Sequence, residues 1–270
     1  TVAEVFLSVA RGETTDYKIK DPIKLLSIAP HYDVDTQVEV DGEMVDREIG
    51  EIALEVAEAA ISEWGKVGST TLVHKHFPEA RQELWKKLDV LPRNIDREIV
   101  DIMHRTHMGV DQDYKNLMKQ GARAALADLT GSWIATELQD VMFGTPSPLI
   151  SEANLGVMKQ DHVNIIVHGH EPVLSEMIVA ACQTQEMLDL ATEVGAKGIQ
   201  LSGICCTANE VLQRHGVPNA GNFLQQELAI VTGACDGMVV DVQCVFQNLA
   251  NVSKCFHTKL FTTHPMGKME

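Results

Sequence analysis

The chain has 270 residues, 45% of them apolar, and a net charge of −16 from 22 basic and 38 acidic side chains. This is an ordinary composition for a globular protein long enough to form two domains. The acidic excess argues against a nucleic-acid partner, because phosphate binding needs concentrated Lys and Arg. No apolar run approaches the roughly 20 residues that would span a bilayer.

Residues 1–148 are predicted to form a helical domain. The clearest helix is 46–65, whose apolar residues recur at three- and four-residue steps and define one face. Further helices are predicted at 96–104, 114–129 and 132–143 from apolar spacing between breakers. The closely spaced prolines of Gly144-Thr-Pro-Ser-Pro148 then predict the linker to a second domain.

Residues 149–270 are predicted to form a Rossmann-like α/β domain. Short β-branched runs predict strands at 162–168, 197–204 and 238–242, with a fourth at 259–263, and helices at 173–194, 210–215 and 222–232 lie between them. Strands that alternate with helices imply a parallel sheet with right-handed crossovers. The predicted fold class is therefore α/β with an N-terminal helical domain. Four strands are fewer than usual, so the second domain is expected to be incomplete.

The six cysteines lie within the last 90 residues, at positions 182, 205, 206, 235, 244 and 255. A secreted disulfide framework is usually a short, loop-rich domain, and this segment is neither. The cysteine pattern therefore predicts a reducing, cytoplasmic setting.

Possible metal ligands follow each of the first three predicted strands. His170 lies just beyond the first strand, Cys205 and Cys206 beyond the second, and Cys244 beyond the third. The carboxyl ends of parallel strands line one crevice, so these side chains are expected to converge. Thiolates with one imidazole suit zinc or the iron of an iron–sulfur cluster. The spacing does not decide between Cys205 and Cys206.

Other candidates have simpler interpretations. Cys182, Cys235 and Cys255 are predicted to be structural, because free cysteine is often a small buried residue. His168 is expected to orient or pack beside the site. The remaining paired histidines and a short acidic run are predicted to be surface, helix-end or capping residues, at positions 74, 76, 104, 107 and 111–113.

Several motifs resemble the anaerobic nickel-iron carbon monoxide dehydrogenase family, which has a prismane-like fold. They are HGHEPVLSE at 168–176, GICCTANE at 203–210 and DVQC at 241–244, with MHRTHMG at 103–109 in the helical half. The resemblance implies a nickel–4Fe–4S cluster that catalyses CO + H2O ⇌ CO2 + 2 electrons + 2 protons. By the same resemblance, His170 and Cys206 hold an iron outside the main cube and Cys244 holds an iron of the cube.

The resemblance also implies what this sequence lacks. The family is much longer, so this chain is expected to be a central segment that lacks the complete active site. The base histidine, the catalytic lysine and further cluster cysteines of the family fall outside it. Additional 4Fe–4S clusters are expected from an N-terminal segment.

The expected partners are CO, CO2 and water as substrates, a ferredoxin-like electron acceptor, a second copy in a homodimer, and an acetyl-CoA synthase subunit. Two alternatives stay open at this stage. One is an enzyme of the related hybrid-cluster (hydroxylamine reductase) type. The other is a non-catalytic metal-binding or truncated subunit that keeps the same fold.

Overall fold

A computed structural model of the chain describes residues 1–14, 17–67 and 70–264. The chain divides into two compact units, Thr1–Thr145 and Pro146–Glu270. This division lies within Gly144–Pro148, the segment that also contains the predicted boundary.

The described part of the first unit consists of helices and one β-hairpin. Its core includes Ile52, Val56 and Ala60 on one face of the third helix, as the sequence periodicity predicted. The elements are α1 (Val2–Ala10), α2 (Pro22–Ile28), β1 (Gln37–Val40), β2 (Glu43–Asp46), α3 (Ile49–Gly65), α4 (Leu72–His76), α5 (Glu79–Leu88), α6 (Ile95–Arg105) and α7 (Tyr114–Phe143).

The structure differs from the sequence prediction at two places in this unit. Strands β1 and β2 form an exposed antiparallel hairpin where only helices were expected. The turn is Asp41-Gly42, and both residues have positive φ, which is the backbone that a two-residue hairpin turn requires. The predicted helices 114–129 and 132–143 are one continuous helix, α7, because a single helical Gly131 weakens a helix without ending it.

The second unit contains a parallel sheet, which confirms the predicted fold class. The strand order is β5-β4-β3-β6-β7, and every neighbouring pair is parallel. The elements are β3 (Val163–Gly169), α8 (Pro172–Cys182), α9 (Gln185–Glu193), β4 (Ile199–Ile204), α10 (Cys205–His215), β5 (Asn219–Gly221), α11 (Gln226–Val231), β6 (Gly237–Val240), α12 (Leu249–Ser253) and β7 (Lys259–Thr262).

Two details of this unit were not predicted. The expected helix 173–194 is broken into α8 and α9, because Thr184 caps a new helix through its side chain. Strand β5 is too short to give a periodic pattern, and it adds a fifth strand at one edge. From β3 the chain builds outward through β4 and β5, and then returns to add β6 and β7 on the other side. The order therefore reverses between β3 and β6, where open α/β sheets bind ligands.

Candidate metal centre

The sheet brings together the chain segments that carry two of the predicted ligands. At the ends of β3 and β4, Gly169 forms a parallel bridge with Cys205. His170 directly follows Gly169, and Cys206 directly follows Cys205 at the start of α10. Strand β6 pairs with the other side of β3, and Cys244 lies in the loop that follows it. All of these residues therefore leave the sheet at its carboxyl edge.

The predicted ligands line one cavity of about 540 Å³. His170, Cys205, Cys206 and Cys244 form part of its wall, and asparagine, glycine and small apolar residues form most of the rest. All six cysteines of the chain are free thiols. Across the residues that the structure describes, no group of three or more His, Cys, Asp or Glu side chains is placed to hold a metal ion.

The loop that carries His170 is held by a carboxylate that the sequence analysis missed. Asp241 is buried and accepts hydrogen bonds from the backbone N–H of His170 at 2.7 Å, of Glu171 at 2.8 Å and of Val242. A Cβ atom at Gly169 would lie 1.7 Å from the Asp241 carboxylate, so the glycine of the HGH motif permits this close approach. An aspartate at the end of a predicted strand was the signal available in the sequence.

A second close approach sets the start of α10. A Cβ atom at Gly203 would lie 2.5 Å from the Cα atom of Ala208, so the strand and the helix pack here backbone against backbone. Cys205 has a φ of +68° and turns the chain directly from β4 into α10. Cys206 therefore lies in the first turn of an 11-residue helix, where the backbone dipoles favour a thiolate.

The thiols at the cavity are electrostatically coupled. Burial raises the pKa of Cys205 to about 12, and repulsion by Cys244 and Cys206 adds to the shift. Desolvation, Cys244 and Glu210 raise the pKa of Cys206. Both shifts favour the neutral thiol, chiefly because burial disfavours the thiolate, and a bound cation would reverse this effect.

His168 lies near the end of β3, directly before Gly169. Its side chain is buried, and Nε2 lies 3.0 Å from Oε1 of Gln226, which is also fully buried. Burial lowers the pKa of the imidazole, so the ring is neutral. His168 thus packs beside the loop of Cys244 through Gln226, and its orienting role stays a prediction.

The structure corrects the prediction for two of the other candidates. His74 is buried and packs on Trp85 with ring centroids 5.6 Å apart, so it is no surface residue. Cys255 is exposed, whereas Cys235 is fully buried as predicted. Asp113 caps α7 by accepting the backbone N–H of Lys115 at 2.9 Å, which confirms the capping role predicted for this acidic run.

The model of the prismane/CO dehydrogenase family matches residues 1–270. The chain belongs to this family. The resemblance seen in the sequence motifs is thereby confirmed for the whole chain. No helix in the described part of this family member is long and apolar enough to cross a membrane.

Three relatives show how far the likeness extends. Carbon monoxide dehydrogenase 1 of Methanosarcina acetivorans is 51% identical over 96% of this chain and 40% of its own length. The beta subunit of carbon monoxide dehydrogenase/acetyl-CoA synthase from Moorella thermoacetica is 42% identical over 99% of this chain and 39% of its own length. A solved nickel-free carbon monoxide dehydrogenase of Thermococcus sp. AM4 is 47% identical, with a TM-score of 0.89 over 99% of this chain and 42% of the other. The chain thus spans about two fifths of these relatives.

Proposed function

We propose that this chain forms part of the active-site region of an anaerobic nickel-iron carbon monoxide dehydrogenase. The reaction is CO + H2O ⇌ CO2 + 2 electrons + 2 protons. One observation carries the proposal: His170, Cys206 and Cys244 line a single cavity in a chain of this family. The names of the relatives favour this activity over that of a hybrid-cluster enzyme.

The donor set of the cavity fits an iron–sulfur group. Thiolates are the usual ligands of iron in such clusters, and imidazole binds iron as well. Nδ1 of His170 is buried and makes no hydrogen bond to any described residue. Within the described residues no three donors are placed to hold one metal ion, and we assign the three ligands to two irons of a larger cluster, whose sulfide completes the coordination.

The proposed roles differ among the three ligands. His170 and Cys206 would hold an iron that stands outside the main cube, and Cys244 would hold an iron of the cube. When bound, the nickel–iron–sulfur group supplies a two-electron acceptor and a Lewis-acidic iron that activates water. Asp241 fixes the backbone of His170, and the positive charge of the bound group would offset the burial that disfavours the Cys206 thiolate.

The partners are proposed by analogy with the relatives. Further 4Fe–4S clusters, held by parts of the protein outside this chain, would pass electrons to a ferredoxin-like acceptor. We also propose a homodimer and, on the relative from Moorella thermoacetica, association with an acetyl-CoA synthase subunit.

Metal analysis of the full-length protein, isolated without oxygen, tests this function. We expect nickel together with iron and labile sulfide, and CO-dependent reduction of an electron acceptor. Iron without nickel would favour a hybrid-cluster enzyme. Zinc or no metal would favour a non-catalytic subunit.

A pair of cysteine variants tests the ligand assignment. Cys206→Ala in the full-length protein should lower CO oxidation by more than about 100-fold, beyond the loss that is typical for removing a residue that only supports a ligand. It should also change the spectrum of the cluster iron. Cys182→Ala is the matched control, because Cys182 is a half-buried thiol of α8 that does not line the cavity. Equal activity in the two variants would contradict the assignment.

A further inference from the structure

Gln226 is a fully buried side chain at the start of α11 that binds the loop at Cys244 and at Phe246. Its Nε2 donates to the carbonyl of Cys244 at 2.9 Å and to that of Phe223 at 2.6 Å. Its Oε1 accepts the backbone N–H of Phe246 at 2.8 Å. One amide therefore satisfies three backbone groups that have no partner in the sheet.

These contacts also fix the orientation of the amide. Two carbonyl oxygens face its nitrogen, and a backbone N–H faces its oxygen, so a flipped amide would lose all three bonds. The amide oxygen Oε1 can only accept hydrogen bonds, so Nε2 of His168 is the donor in its 3.0 Å contact with Gln226. The imidazole thus completes the bonding of the amide.

The loop that Gln226 binds has an unusual backbone. Gln243 has a φ of +64° and Cys244 a φ of +53°, so two consecutive residues with side chains lie in the left-handed region. Such a backbone is strained for a residue with a side chain, and the conformation persists only where surrounding contacts hold it. The three backbone bonds of the Gln226 amide are contacts of this kind.

We propose that Gln226 is a positioning residue that holds the left-handed turn at Cys244 and so directs this thiol into the cavity before metal binds. The inference rests on the proposed function, because positioning the Cys244 thiol matters only if Cys244 is a metal ligand. That Gln226 stabilises the turn rests only on the contacts above. One measurement therefore tests the turn, and a second tests the metal site.

The chain offers a matched control in Gln120. This glutamine is also fully buried, and its Nε2 donates to the backbone carbonyl of Glu98 at 3.2 Å and to its carboxylate at 2.8 Å. Gln120→Met and Gln226→Met each replace a buried amide with an apolar side chain of similar length. Only Gln226→Met removes bonds to the turn at Cys244.

Hydrogen exchange in the metal-free full-length protein measures the hold on the turn. In Gln226→Met we expect the amide of Phe246 to exchange at least tenfold faster than in the wild type. In Gln120→Met the same amide should be unchanged, although both variants should melt at lower temperature. An unchanged rate in Gln226→Met, or an equal increase in Gln120→Met, would overturn the inference.

The spectrum of the cluster iron in the metal-loaded full-length enzyme is the second readout. Gln226→Met should shift the paramagnetic resonance of the cluster and lower bound iron at least twofold, while Gln120→Met should keep the wild-type signal. If Gln226→Met does not fold, Gln226→Glu replaces it, because this side chain keeps its length and loses at least one donor bond. If the wild-type protein contained neither nickel nor iron, the proposed function would be overturned. The hydrogen-exchange result would still decide whether Gln226 stabilises the turn.

Discussion

Two buried polar networks, one from each unit, differ in the partners that they bind. In the helical unit the Glu98 carboxylate accepts from Nε of Arg93 at 2.7 Å and from Nε2 of Gln120 at 2.8 Å, which ties α6 to α7. In the sheet unit, Asp241 and Gln226 bind the backbone of loops instead.

The difference has a physical cause. Helices satisfy most of their own backbone groups, so the Glu98 carboxylate between α6 and α7 is free to bind the side chains of Arg93 and Gln120. The loops at the carboxyl edge of the sheet leave the hydrogen-bonded ladder, and their backbone groups must find partners elsewhere. A buried side chain that binds irregular backbone therefore marks where the chain holds a loop in place, and here those loops carry His170 and Cys244.

The largest expected effect tests the tight packing of the sheet unit. Gly169→Ala should lower the free energy of unfolding by about 3 kcal/mol, because its Cβ would overlap the Asp241 carboxylate and its φ is +139°. Gly195→Ala is the control, since Gly195 has a φ of +87° but no atom within 4 Å of its Cβ position, and about 1 kcal/mol is expected. Urea unfolding of the full-length protein measures both. Equal losses would remove the case for a close approach at Gly169.

A smaller effect tests the buried network of the helical unit. Burial opposes the ionisation of Glu98, but hydrogen bonds from Arg93 and Gln120 outweigh it and hold its pKa below the ordinary value. Stabilisation by a carboxylate with a lowered pKa is fully present above the unfolded pKa of about 4.3 and is lost as the pH falls through the folded value.

Glu98→Gln should therefore lower the free energy of unfolding by about 2 kcal/mol at neutral pH, and the difference from the wild type should shrink as the pH falls below about 4. Glu58→Gln, at an exposed position of α3, should stay within about 0.5 kcal/mol. Urea unfolding at several pH values gives both numbers. A Glu98→Gln difference that does not depend on pH would contradict the role of the charge.

The smallest effect compares one helix cap from each unit. Asn94 caps α6 by accepting the N–H of Arg97 at 2.7 Å, and it also donates to the carbonyl of Lys66 at 2.8 Å. Thr184 caps α9 through a longer bond of 3.4 Å to Met187. Asn94→Ala should cost about 1 kcal/mol and Thr184→Ala about 0.5 kcal/mol. Thermal unfolding checks the order, and a larger loss at Thr184 would reverse it.

Periodic segments were predictable, and irregular ones were not. The helix face that contains Ile52 and Val56, and the strands that lead into the HGH and GICC motifs, follow from apolar spacing alone. The hairpin β1–β2 was missed although Asp41-Gly42 is a strong turn signal, because its strands are short and exposed on both faces.

The sequence determined which chemistry is available and roughly where. Imidazole and thiol groups that follow successive β-strands must reach the same edge of a parallel sheet, because every strand points the same way. Spacing along the chain is enough for that conclusion, and the family motifs agree with it.

Only the tertiary structure decided how these groups are held. Asp241 and Gln226 lie far along the chain from some of the loop residues they bind, and nothing in local periodicity indicates such contacts. The left-handed turn at Cys244 likewise depends on packing, because an isolated chain would avoid it. Long-range hydrogen bonds to irregular backbone form only once the sheet has brought its loops together.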